Sequence, residues 1–70
     1  MSTNSKKEKD FELFDEAKKL NYEAQSLSEE RDKLVLKSNF TKKDFAVVLA
    51  IAERVHEIKL RMKEIYEQIN

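Results

Sequence analysis

The chain contains no glycine, proline, cysteine or tryptophan in its 70 residues. Without glycine and proline it lacks the residues that tight β-turns, strand corners and phosphate-cradling loops normally require, and this excludes most β-rich architectures and nucleotide-binding loops. Without cysteine it offers neither disulfides nor thiolate metal ligands, and its redox compartment is left open. Net charge is also missing. The 14 basic and 14 acidic side chains cancel, which argues against general electrostatic capture of nucleic acid or an anionic membrane. The longest apolar run, Phe45 to Ala52, falls far short of the ~20 residues needed to cross a bilayer. Met1 to Asp10 is polar and charged and does not resemble a signal peptide. A single domain in the cytoplasm, with no membrane partner, is expected.

Charge and helical periodicity dominate what remains. Charged residues make up 40% of the chain, a composition that suits long solvated helices. Val48, Ile51, Val55, Ile58, Met62, Ile65 and Ile69 recur at alternating steps of three and four, which aligns them along one stripe of an α-helix. A second stripe runs through Leu13, Ala17, Leu20, Ala24, Leu27, Arg31 and Leu34. Between the stripes, Asn39 is the candidate for a left-handed helix-closing residue. Thr41 reads as the next N-cap, Asp44 as its capping-box partner, and Phe40 with Phe45 as a hydrophobic staple. The expected organisation is a disordered tail over residues 1–5 and one helical domain over 6–70. Within that domain, helix one covers about 6–38, the turn 39–41 and helix two about 42–69. The fold class is all-α, an antiparallel two-helix hairpin.

Folding the chain about Asn39 sets Leu34 against Phe45, Leu27 against Ile51, Leu20 against Ile58 and Leu13 against Ile65, with Ala24 and Ala17 facing Val55 and Met62. One seam leaves apolar surface over. The run from Phe45 to Ala52 is apolar all round its helix, and such a segment is normally a buried one. Phe45, Val47, Val48, Leu49 and Ala52, with Phe14 and Val35 from helix one, are therefore the candidate protein-interface residues. Two helices alone also rarely bury enough area to offset the ordering entropy of the chain. Charge placement orients the partner: Arg31, Lys33, Lys37, Lys42 and Lys43 cluster at the turn, and Asp10, Glu12, Asp15 and Glu16 at the open end. Two such rods prefer to lie head to tail. The expected partner is a second copy, in an antiparallel homodimer forming a four-helix bundle, or else a heterologous helical protein.

Residues that could carry chemistry are few. Glu53 and His56 form a Glu-x-x-His pair of the kind that builds di-iron sites in four-helix bundles. Both point away from the seam that contains Val55, so they are weak metal candidates and no cofactor is expected. Lys33, Lys37, Lys42 and Lys43 at the tip are the candidate nucleic-acid contacts, and nucleic-acid binding is the alternative reading. Ser26 and Ser38 have no base or oxyanion site in view, so no enzyme activity is expected. The stretch from Leu27 through Arg31 and Leu34 to Val48-Leu49-Ala50-Ile51 resembles small aspartyl-phosphate phosphatases built as helical hairpins. Their Ser-x-x-x-Asp signature meets Ala52 and His56 here, so the resemblance does not imply their activity. In length and plan the chain is also similar to hairpin co-chaperones of type III secretion and to a plasmid RNA-binding hairpin. A small non-enzymatic adaptor, regulator or chaperone-like protein is the expected function.

Overall fold

A computed structural model describes residues 2–69, with side chains from Glu8 onward. It is an all-α antiparallel hairpin of two helices, α1 (Ser2–Val35) and α2 (Lys42–Gln68). The molecule is a rod of 59 × 15 × 13 Å. Its radius of gyration, 16.7 Å, compares with about 11 Å for a compact domain of this length.

Helix two begins as its sequence dictates. Thr41 has extended backbone and its hydroxyl accepts from the Asp44 N–H, while the Asp44 carboxylate accepts from the Thr41 N–H. This reciprocal box satisfies two backbone donors that would otherwise lack partners. The Phe40 and Phe45 rings stand edge to face with centroids 6.3 Å apart, closing the staple across the cap. Lys37 reaches over the turn to the same carboxylate at 3.1 Å.

Helix one departs from expectation at both ends. It starts at Ser2 rather than near Lys6, so the stretch read as a disordered tail is helical over residues 2–5; Met1 lies outside the described residues. Ser, Thr and Asn favour caps and turns, yet extending an existing helix fixes only one further residue per step, and no proline blocks it. At the other end α1 stops at Val35, three residues before Ser38. Asn39 is not left-handed: no residue among those described has positive φ. The helix instead unwinds through Leu36 N–H to Asp32 C=O and then a tighter Lys37 N–H to Leu34 C=O bond. Tightening the last turn satisfies the end carbonyls without the steric cost of positive φ in a chain that has no glycine. The connection is therefore an open segment over residues 36–41 rather than a tight turn over 39–41.

The seam holds the two helices together. Leu13, Ile51, Ile58 and Ile65 are buried, and Ile58 is only 1% exposed. Ala17, Leu20, Ala24, Leu27, Leu34, Val48, Val55 and Met62 are half-buried beside them. The small alanines on α1 let the larger α2 side chains approach and interdigitate.

Candidate interaction surface

Two cross-helix ion pairs fix the register and divide the rod into unlike flanks. The Arg61 guanidinium donates from Nε and Nη2 to the two oxygens of Glu16 at 2.6 and 2.9 Å. Arg54 makes the same two-pronged contact with Glu23, also at 2.6 and 2.9 Å. Glu16 and Glu23 are seven residues apart, and so are Arg54 and Arg61, so both rungs fall on one side of the seam. They agree with the expected pairing of Leu13 with Ile65 and Leu20 with Ile58. The bidentate geometry holds both glutamates below the usual carboxylate range, chiefly through the arginine hydrogen bonds and against the cost of partial desolvation. Asp44 is held low mainly by the Thr41 N–H, with Lys37 adding to it. Glu57 stands at the i,i+4 spacing from Arg61 within α2, but the partner of Arg61 is Glu16 across the seam. The signal was present in the seven-residue spacing of both sets, read on the two helices together.

Among the described residues the opposite flank has no such rungs. Phe45, Ala52, Lys59 and Tyr66 follow one another at seven-residue steps along it on α2, and Phe14, Asn21, Ser28 and Val35 do so on α1. Phe14 and Phe45 are 52% and 51% exposed, and Tyr66 is 80% exposed. At the open end Phe14, Ala17, Met62, Ile65, Tyr66 and Ile69 line a shallow apolar groove of ≈ 220 Å³ that spans both helices. At the tip end Val35, Phe45 and the neighbouring Leu49 are all exposed. Small, polar and charged residues, Asn21, Ser28, Ala52 and Lys59, lie between these two apolar ends.

The candidate interface residues therefore do not form one patch. Phe45, Leu49, Ala52, Phe14 and Val35 belong to the flank without ion pairs, and Val48 is half-buried in the seam. Val47 belongs to the other flank: it lies seven residues before Arg54 and fourteen before Arg61. It occupies the next rung of the ladder, whose α1 member is Glu30, seven residues after Glu23. There the series has an acid and no base.

The basic tip is less free than the sequence suggested. Lys33, Lys42 and Lys43 are exposed, but Lys37 is committed to Asp44 and Arg31 to Asp32 at 3.2 Å. At the open end Asp15 is paired with Lys19 at 3.0 Å. Glu53 and His56 are both exposed, and among the described residues no group of three or more His, Cys, Asp or Glu side chains converges as a metal site. No helix among the described residues is long and apolar enough to cross a membrane.

No family model, curated protein or solved structure matches the chain. None of the likenesses drawn from the sequence is carried by such a match, and a shared hairpin plan does not carry a function with it.

Proposed function

We propose that the chain is a non-enzymatic protein-protein interaction module, a small adaptor, regulator or chaperone-like protein that works as a homodimer through its helical surface. The observation that carries this reading is the area left uncovered. The rod exposes 6012 Å², whereas a compact monomer of 8.3 kDa exposes about 4,600 Å². The excess, about 1,400 Å², matches what one partner contributes to a substantial interface, since obligate dimers bury upwards of about 1,000 Å² on each side. Much of it is aromatic or aliphatic: Phe11, Phe14, Phe45, Leu49 and Tyr66 are all exposed. Such residues gain most by being covered. The same reading takes the protein to be cytoplasmic, an expectation resting on the sequence alone.

Light scattering over a wide concentration range, combined with thermal unfolding, tests it. A homodimer has twice the 8.3 kDa chain mass, and its melting temperature rises with concentration because association stabilises the fold. A chain that stays at monomer mass and melts at one temperature throughout would sink the homodimer.

A further inference from the structure

We infer that the occupant of the flank without ion pairs is a second copy of this chain, laid antiparallel so that each open-end aromatic groove covers the partner's tip. The inference rests on the interaction reading above and deepens it by naming the face, the partner and the direction.

Three features of the rod point the same way. The first is the division of its flanks. On one side Glu16, Glu23, Arg54 and Arg61 satisfy each other across the seam. Covering those charges would desolvate them with no new partner. The other side has no cross-helix ion pair among the described residues, and it carries Phe14 and Tyr66 at one end and Val35 and Phe45 at the other. The second is symmetry. A face with apolar patches at both ends and small or polar residues midway can satisfy a two-fold operator across the rod: Phe14 meets Val35 of the other copy, and Val35 meets its Phe14. Each patch is then used once and the contact closes, as an isologous interface requires. Phe14 and Val35 are equally spaced about Ala24 and Gln25, which places the dyad there.

The third is charge. Among the described residues Lys33, Lys42 and Lys43 at the tip have no acidic partner, and neither do Asp10 and Glu12 at the open end. Lys33, Lys43 and Glu12 lie on the ladder's side of the rod, three or four residues from Glu30, Val47 and Glu16. Antiparallel docking therefore brings tip and open-end charges to the same end of the dimer rather than into contact, whereas parallel docking stacks like on like. On the flank itself the same operator sets Lys18 within one residue of Asp32 of the other copy, the midpoint of that pair being Gln25. Exposed pairs of this kind contribute little to affinity, but they select between two orientations of one apolar face. Lys42 and Lys63 are brought toward each other by the same docking. That is a like-charge contact at the exposed rim, where solvent screens it.

The test uses the full chain, and the absence of cysteine allows a single spin label to be placed without background. Asn39→Cys puts the label in the connecting segment. By 1.5 Å per residue that segment lies about 20 Å beyond the dyad, so antiparallel docking separates two labels by about 40 Å, and parallel docking brings them within about 20 Å. The expected result is the long distance. A short one, or no dipolar coupling at a concentration where the mass is dimeric, overturns the direction while leaving the interaction reading standing. The face is tested by mass: Leu49→Asp should yield monomers that remain helical, with association weakened at least tenfold. Phe14→Asn should do the same from the other end of the face, without touching the staple that Phe45 forms. Val47→Arg, on the latched flank, should leave the dimer constant within twofold. A dimer indifferent to Leu49→Asp and Phe14→Asn but broken by Val47→Arg overturns the choice of face. A wild-type chain that stays monomeric overturns the second copy as occupant.

Discussion

Replacing Ile58 by Ala should cost this hairpin most of its margin. Ile58 lies midway along the α2 stripe and is only 1% exposed. Truncation removes three carbons from a side chain that is out of water, at about 0.8 kcal/mol each, or about 2.4 kcal/mol of transfer free energy. A rigid core adds a penalty for the cavity left behind, and Ile→Ala changes range over roughly 2–5 kcal/mol for that reason. Here the rod is only 15 × 13 Å across, so the neighbouring side chains can settle into the gap and the cavity contribution is small. A loss of about 2.5–3 kcal/mol follows, toward the lower end of that range. A core of this size rarely supplies more than about 3–5 kcal/mol in total, so the variant should be near its unfolding midpoint unless association supports it. Urea unfolding followed by far-ultraviolet circular dichroism measures the effect as a shift of midpoint at constant slope, with protein concentration held fixed. Leu60→Ala is the control. Leu60 sits two positions along the same helix and is 52% exposed, so its truncation should stay within about 0.5 kcal/mol. If Ile58→Ala costs less than about 1 kcal/mol, or if the two variants cost the same, the seam described above is not what holds the helices together.

Three further outcomes are expected. Val47→Arg places a guanidinium opposite Glu30 in the series begun by Glu16–Arg61 and Glu23–Arg54; the melting temperature should rise slightly, and the rise should shrink in high salt, as an exposed pair dictates. An unchanged or lowered melting temperature would mean that Glu30 and residue 47 do not face each other. Thr41→Ala removes the hydroxyl that accepts from the Asp44 N–H and should destabilise the fold by about 1 kcal/mol in urea unfolding, whereas Ser38→Ala should change nothing measurable. Glu16, Glu23 and Asp44 are all held below the ordinary carboxylate range in the folded chain, so their contribution is complete above about pH 5 and is lost as acid protonates them in turn. Melting temperature should therefore fall on acidification below about pH 5, and the double variant Glu16→Gln, Glu23→Gln should show a flatter profile; an equally steep one would assign the acid sensitivity elsewhere.

The hairpin was legible because it is written in local rules. Thr41, Asp44, Phe40 and Phe45 specify the start of α2 within a few residues, and no distant contact is needed to read them. The seam was legible for the same reason: a stripe with a period near 3.5 is a property of one helix at a time. The end of α1 was not. Asparagine tolerates the left-handed conformation, which singles out Asn39, but tolerance is only a preference, and the chain has a cheaper exit in tightening its last turn at Leu34 and Lys37. The ladder was missed for a different reason. Glu57 and Arg61 sit at the favoured i,i+4 spacing on one helix, yet Glu16 offers Arg61 two oxygens in the plane of its fork. A bidentate contact is stronger than a single end-on one, and it becomes visible only once both helices are laid side by side.

That ladder changes what the apolar run at the start of α2 means. Read on the sequence alone, Phe45 to Ala52 is hydrophobic on every side and could be buried on any of them. In the hairpin its side chains are shared out: Val48 and Ile51 enter the seam, Phe45, Leu49 and Ala52 face the flank that has no ion pairs, and Val47 takes a place in the charged file. A valine opposite Glu30, where an arginine would complete the rung, leaves the tip less tightly latched than the middle of the rod. Cross-strapping thus ends before the exposed apolar surface of the tip, since Glu23–Arg54 is the last rung before Phe45, Leu49 and Val35. A hairpin strapped by ion pairs at its middle and open end, but closed at its tip by the half-buried Leu34 and Val48, the staple and the Lys37–Asp44 bridge, can adjust the spacing of its helices there against whatever covers them. Phe45 belongs both to that staple and to the exposed flank, so a partner seated on the flank would bear on the element that closes the turn. Docking should therefore protect the backbone amides of residues 36–45 from hydrogen exchange more than those around Glu23 and Arg54, which the ladder already holds. Uniform protection along the rod would mean that the tip is no looser than the rest, and that the broken rung at Val47 has no mechanical consequence.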